Sequence, residues 1–318
     1  MLPAVARHLV GGGGDSPIVA VPPGVLVEAD VEYLLQPGRA ERGDLYQPTQ
    51  AAAGGNTLRP AVLVIHGGGW YGGDKGAVRE INICSNLVLH GYVCFSIDYL
   101  LADAPPADSS GGPLAAGRAA TFPQNLYDCM RGVQFLRQHA VRLHIDPRRI
   151  GVIGGSAGGT LAHLLALQPP ALQPTDVVAA GLDPMLPCAA DLLCGVNLYG
   201  PVDFSCNLAD IDDRAAGEQP MFDGPISTHP ALYATASPTI YAKGAGDTPL
   251  FLLHGETDAL VDIRQSSSYC EKATRLGAPV RFQAVPDTLE RGFHGLGMQP
   301  PLADLRGDLI GFFDSHLK

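Results

Sequence analysis

The stretch "RIGVIGGSAGGTLAHLLAL", Arg149 to Leu167, decides how the chain folds. It opens as an apolar strand, passes five glycines (Gly151, Gly154, Gly155, Gly158 and Gly159), and closes in a helical pattern. Glycine inside regular structure costs about 1 kcal/mol relative to alanine, so its crowding around one hydroxyl, Ser156, needs a cause. Gly154-Gly155-Ser156-Ala157-Gly158 fits G-x-S-x-G between a strand and a helix. A sharp strand-to-helix turn forces the serine into a strained backbone, and side chains on its flanks would collide with neighbouring backbone. Glycine-rich turns also bind phosphate at helix N-termini. Here the phosphate-loop lysine is absent, and the spacing is not G-x-G-x-x-G after the first strand.

A serine hydroxyl is a poor nucleophile until a base takes its proton. "LLHGETDALV" ends an apolar strand and places Glu256, Asp258 and Asp262 in or near the loop beyond it; "RGFHGLG" places His294 in a glycine-flanked loop after the next strand pattern. The chain order serine, acid, histidine is that of an α/β-hydrolase triad, in which Ser156 attacks, His294 carries the proton and the acid orients the imidazole. "VIHGGGW" adds Gly67, Gly68 and Gly69 at another strand end. Backbone N–H groups of Gly68, Gly69 and Ala157 are the expected oxyanion hole. His66 is expected to fix that loop by hydrogen bonding, and His254 to buttress its strand end. Trp70 is a candidate wall of the substrate pocket. Activity should fall as His294 takes a proton below neutrality.

Outward from this core, apolar strands alternate with helical patterns: "VLVEADVEYLL", "RGDLYQP", "AVLVIHGGGW", "YVCFSIDYLL", "RIGVIGG", "LCGVNLYG", "PLFLLHG" and "VRFQAVP" read as strands. "AVREINICSNLVLHGY", with Gly91 as C-terminal cap, and "FPQNLYDCMRGVQFLRQHAVRL", with Pro123 near its start, read as helices. Further helices are expected in "IRQSSSYCEKATRLG" and near residue 318. Strands apolar on both faces and separated by helices predict an α/β fold, a mainly parallel sheet covered on two sides. Residues 1–24 read as a flexible lead-in and 25–318 as one catalytic domain. Within it, 103–121 is a low-complexity surface loop, 168–190 an insertion, and 205–245 long enough for a small cap.

Composition bounds the function. The 318 residues are 46% apolar and 17% charged, with net charge −11 and no lysine or arginine block, which disfavours nucleic acid and anionic membranes as partners. No apolar run reaches the length of about 18 residues that spans a bilayer. Seven cysteines without metal-ligand spacing predict buried thiols, no metal and a reducing compartment; Cys188 and Cys194 are the pair that would bridge in an exported protein. With no convincing signal peptide, the cytoplasm is the expected location. Asp210, Asp212 and Asp213 read as a solvated loop rather than a calcium site. No cofactor is expected.

The segments "AVLVIHGGGWYGGDK", "FSIDYLL", "FPQNLYDCMRGVQFLRQHAVRLHIDPRRIGVIGGSAGG", "ASPTIYAKGAGDTPLFLLHGETDALVDIRQS" and "GFHG" resemble the α/β-hydrolase esterases over roughly residues 25–318. Among them the chain is most similar to the group containing bacterial feruloyl and acetylxylan esterases. The resemblance implies a triad acid at the H-G-x-x-D step, which selects Asp258 over Glu256 and Asp262. It also implies a cofactor-free serine esterase acting on short or aromatic acyl esters, such as acetyl or feruloyl esters of plant polysaccharides. Hormone-sensitive-lipase-like esterases share H-G-G-G and S-A-G-G, but usually carry aspartate where this chain has Gly155. Asp98 and Asp128 match family positions, where a loop hydrogen bond explains them as well as substrate contact does. Arylformamidases, which also end a glycine-rich loop in tryptophan, are the rival hydrolase class. A binding protein on an inactive scaffold is the rival outside enzymes, although such a protein would be expected to lack a triad member.

Overall fold

The computed structural model describes residues 21–36, 39–49, 57–102, 121–186, 191–205, 221–286, 294 and 306–318. Eight strands form one sheet in the order β1-β2-β4-β3-β5-β6-β7-β8. These are β1 (Val25–Gln36), β2 (Arg39–Pro48), β3 (Arg59–Ile65), β4 (Val93–Ile97), β5 (Ile145–Gly155), β6 (Cys194–Leu198), β7 (Leu250–Gly255) and β8 (Val280–Val285). β1, β2 and β4 pair antiparallel, and every pairing from β4 to β8 is parallel. Parallel pairing needs crossovers, supplied by α1 (Val78–Leu89), α2 (Gln124–Gln138), α3 (Ala140–Leu143), α4 (Ala157–Leu167), α5 (Pro230–Thr235) and α6 (Arg264–Arg275), with α7 (Arg306–Leu317) closing the chain.

The unbroken apolar runs follow from burial on both faces. Along β3, Ala61, Leu63 and Ile65 enter one core cluster, with Phe95, Leu136 and Leu161, while Val62 and Val64 enter the other, with Leu87 and Phe313. Period-two alternation is thus present, but both sets meet apolar partners. Every residue of α4 is buried, as an all-round apolar helix requires.

α1 ends as its sequence predicts. Gly91 (φ +92°) donates to the Val88 carbonyl (2.9 Å) and Tyr92 to that of Leu87 (3.2 Å), a paired closure of the last turn. The second predicted helix is divided instead. Its backbone leaves helical torsions at His139 (φ −101°, ψ 13°), whose ring packs on Phe135 at 4.4 Å, so α2 and α3 are separate pieces.

Cys84, Cys94, Cys129, Cys194 and Cys270 are buried free thiols. Cys188 and Cys206 lie outside the described residues, as do Asp210, Asp212, Asp213, positions 1–20 of the lead-in and 103–120 of the surface loop. In the region 205–245, residues 206–220 are likewise outside. The rest holds α5 and a short 3-10 turn at Pro238–Tyr241, with Phe222 and Tyr233 buried in the core. Among the described residues no helix is long and apolar enough to cross a membrane.

Candidate active site

Three strand ends bring the predicted residues together. Ser156 follows β5 directly, at φ 55° and ψ −124°. A left-handed φ on a residue with a Cβ costs on the order of 1 kcal/mol and persists only where the surroundings impose it. They do so through clearance. A Cβ on Gly154 would stand 2.1 Å from the Gly158 carbonyl oxygen, and one on Gly158 would stand 2.2 and 2.3 Å from those of Ile65 and His66. The turn is therefore locked against the end of β3. Ser156 N–H donates to the Leu198 carbonyl at 2.8 Å, tying it also to β6.

Ser156 Oγ lies 3.0 Å from His294 Nε2, and His294 Nδ1 lies 2.8 Å from Asp258 Oδ2. An ionised carboxylate only accepts, so Nδ1 carries the proton and Nε2 is left to accept from the serine hydroxyl. The Asp258 side chain is 0% exposed and that of His294 24%. Asp258 Oδ1 accepts the N–H groups of Leu260 and Val261, both at 2.9 Å. Burial pushes this carboxyl up, but hydrogen bonds from His254, His294 and Val261 outweigh it and hold it well below the ordinary carboxylate range.

The fold therefore favours the ionised form of Asp258. Its contribution to stability is fully present above the ordinary carboxylate range and is lost as pH falls through that range toward the depressed value. Melting temperature measured from pH 7 down to pH 2 should fall less steeply in Asp258→Asn than in the parent protein. Parallel curves would show that Asp258 supplies none of the acid sensitivity.

The expected oxyanion loop follows β3. Gly68 (φ +121°), Gly69 (φ +60°) and Trp70 (φ +64°) are consecutive left-handed residues, and the Gly68 carbonyl accepts the N–H groups of Tyr71 and Gly72. No acceptor for the N–H groups of Gly68, Gly69 or Ala157 stands among the described residues. His66 is buried, which lowers its basicity, and its Nδ1 meets the Gly67 carbonyl oxygen at 2.7 Å. That bond restrains the loop as expected from the sequence. Trp70 is 2% exposed, its ring set edge-on to Phe204 at 5.7 Å, and its buried indole N–H has no partner among the described residues.

Asp98 and Asp128 make loop hydrogen bonds. Asp98 accepts Lys75 N–H at 2.7 Å, and Asp128 accepts Leu100 N–H at 2.9 Å while paired with Arg39. His254 does more than buttress its strand. Its Nε2 lies 2.8 Å from the Val261 carbonyl and 3.3 Å from Asp258 Oδ2, and its Nδ1 lies 2.8 Å from Ser266 Oγ.

Solved structures share the architecture. A carbohydrate esterase from gut microbiota, in truncated form, matches with a TM-score of 0.71 at 21% identity, covering 91% of this chain and 95% of that one. An acetyl ester-xyloside bifunctional hydrolase from Caldicellulosiruptor lactoaceticus matches with a TM-score of 0.64 at 22% identity, covering 89% and 91%. In sequence, the probable carboxylic ester hydrolase LipM of Mycobacterium tuberculosis (strain ATCC 25618 / H37Rv) is 27% identical over 85% of this chain and 57% of its own length. The chain spans little more than half the length of the mycobacterial relatives it matches. The BD-FAE family model matches residues 44–273, through β3 to β7 and most of α6, and the chain belongs to that family.

Proposed function

We propose that the chain is a serine carboxylic ester hydrolase working through an acyl-enzyme on Ser156. The unbroken path from Asp258 through His294 to Ser156 Oγ, at 2.8 and 3.0 Å, carries this reading. His294 Nε2 takes the hydroxyl proton as Oγ attacks the ester carbonyl carbon, and returns it to the departing alcohol oxygen. Water then repeats the attack on the acyl-enzyme with His294 again as base, releasing the acid and restoring the serine. Asp258 holds the imidazole tautomer and stabilises its protonated form. The N–H groups of Gly68, Gly69 and Ala157 receive the negative oxygen; one such donor is worth about a hundred- to a thousand-fold in rate. This chemistry uses only the chain's own groups.

For the substrate we propose short or aromatic acyl esters, including acetyl and feruloyl esters of plant polysaccharides. Support comes from the resemblance of the motifs and from the carbohydrate and acetyl esters named for the two structural neighbours. Trp70, backed by Phe204, is proposed to border the acyl pocket.

A panel of p-nitrophenyl acetate, longer p-nitrophenyl esters, methyl ferulate, acetylated xylan and N-formylkynurenine tests this. The highest kcat/KM is expected on the acetyl or feruloyl esters. Strong preference for N-formylkynurenine would replace the esterase reading with an arylformamidase. Preference for long acyl chains would overturn the proposed substrate class.

A further inference from the structure

The space beside Gly155 is filled by side chains from elsewhere. A Cβ at that position would lie 2.8 Å from Arg79 Nη1, 2.9 Å from Arg79 Cζ and 2.9 Å from the Tyr199 hydroxyl. The same guanidinium reaches Gly67, whose Cβ would stand 3.2 Å from Arg79 Nη2 and 3.1 Å from Ser156 Cβ. A side chain from the first turn of α1 thus meets the ends of β3 and β5 and the residue just beyond β6. Arg79 Nη1–H donates to the Tyr199 hydroxyl oxygen at 2.7 Å, and Nε–H to Glu80 Oε1 at 2.8 Å, with Nη2 on the same oxygen. Glu80 is 1% exposed and supplies the opposite charge that a shielded guanidinium needs. Tyr199 is fully buried, sits at φ +45°, and donates its N–H to the Leu253 carbonyl at 2.8 Å. Its ring meets that of His294 edge-on, with centroids 4.7 Å apart and planes at 65°.

We propose that Arg79 and Tyr199 are positioning residues for His294: the guanidinium pins the phenol, and the phenol ring holds the imidazole in line between Asp258 and Ser156. An imidazole bonded at both nitrogens can still rock about the axis joining them, and a ring packed against it blocks that motion. Such restraint matters because a misplacement of about 1 Å can cost a hundred-fold in rate. Arginine suits the task, since its planar fork serves Glu80 and Tyr199 together, whereas a lysine ammonium is a single point of charge. Gly155 is the clearance this pair requires: any side chain there displaces the guanidinium.

This inference rests on the proposed catalytic role of His294, and the test separates the two. Purified Arg79→Met, Arg79→Lys, Tyr199→Phe, Gly155→Ala and Gly155→Ala/Arg79→Met proteins are compared with the parent and with Ser156→Ala. The measurements are kcat and KM on p-nitrophenyl acetate, rate of fluorophosphonate labelling, and thermal melting. Arg79→Met and Tyr199→Phe should lower kcat about ten- to a hundred-fold with KM within about two-fold, the labelling rate falling in parallel. Arg79→Lys should recover part of the loss. Gly155→Ala should lower kcat alone but add less than that loss to Arg79→Met, because with the guanidinium gone only the Tyr199 hydroxyl is left to displace.

Unchanged kcat in folded Tyr199→Phe, or additive effects in the double variant, would overturn the proposal. So would a loss confined to KM. Should Arg79→Met not fold, Tyr199→Phe decides, because it leaves the Arg79–Glu80 pair in place. If Ser156→Ala is inactive while these variants match the parent, only the positioning role fails. If Ser156→Ala retains activity, the catalytic reading itself fails.

Discussion

Replacing Ser156 by alanine is expected to lower kcat on p-nitrophenyl acetate by about a million-fold and to abolish fluorophosphonate labelling. The substitution removes one oxygen, the atom 3.0 Å from His294 Nε2. Without it no acyl-enzyme forms, and His294 and Asp258 have no proton to move. The loop of Gly68 and Gly69 remains in place, so a residual rate about 10³–10⁴ above water is expected from transition-state binding alone. KM should change little, because the ester is still bound. Alanine retains the φ of 55° and its strain, so melting temperature should stay near that of the parent. Equal labelling of parent and variant would remove Ser156 from the mechanism.

The second large effect is on folding, at Gly158. Alanine is the better helix former by up to about 1 kcal/mol, and Gly158 lies in the first turn of α4, so local propensity favours Gly158→Ala. Packing opposes it. The added Cβ would stand 2.2 Å from the Ile65 carbonyl oxygen and 2.3 Å from that of His66, both backbone atoms at the end of β3. Backbone cannot swing aside as a side chain can. Relief means moving the entire loop from His66 to Trp70 away from α4. Overpacking of this kind costs about 1–3 kcal/mol or more, so destabilisation should win. Chemical denaturation should show a midpoint shifted well below that of the parent. Activity should fall more than stability, since the loop that moves carries the proposed oxyanion donors. A variant as stable and active as the parent would show that the loop tolerates the displacement.

Much of this was legible in the sequence because strand ends with special backbone needs advertise themselves. Ser156 stands between glycines whose absent side chains make room for backbone, and Asp258 and His294 follow apolar runs that could only be sheet strands. The alternation of those runs with amphipathic helices pointed to parallel pairing, and the buried β3 bears out its logic, apolar on both faces. Other features depend on where chains meet. Arg79 reads as an ordinary first-turn arginine; its bond to Tyr199, 120 residues away, exists only because α1 packs over the ends of β3 and β5. The division at His139 has no proline or glycine to mark it. His254 looked like a support for its own strand, since nothing local shows that its far nitrogen would turn onto Asp258.

The spacing of the triad along the chain has a consequence in time. Ser156 and His294 are separated by 138 residues, and ribosomes add roughly 5–20 residues per second. Roughly 7 to 28 s therefore pass between synthesis of the serine and arrival of its proposed base. Throughout that interval the elbow and the glycine loop are already present on the emerging polypeptide, yet the hydroxyl stays chemically dormant. On the proposed mechanism, ester-cleaving competence is therefore acquired in one step, when His294 emerges, rather than by degrees.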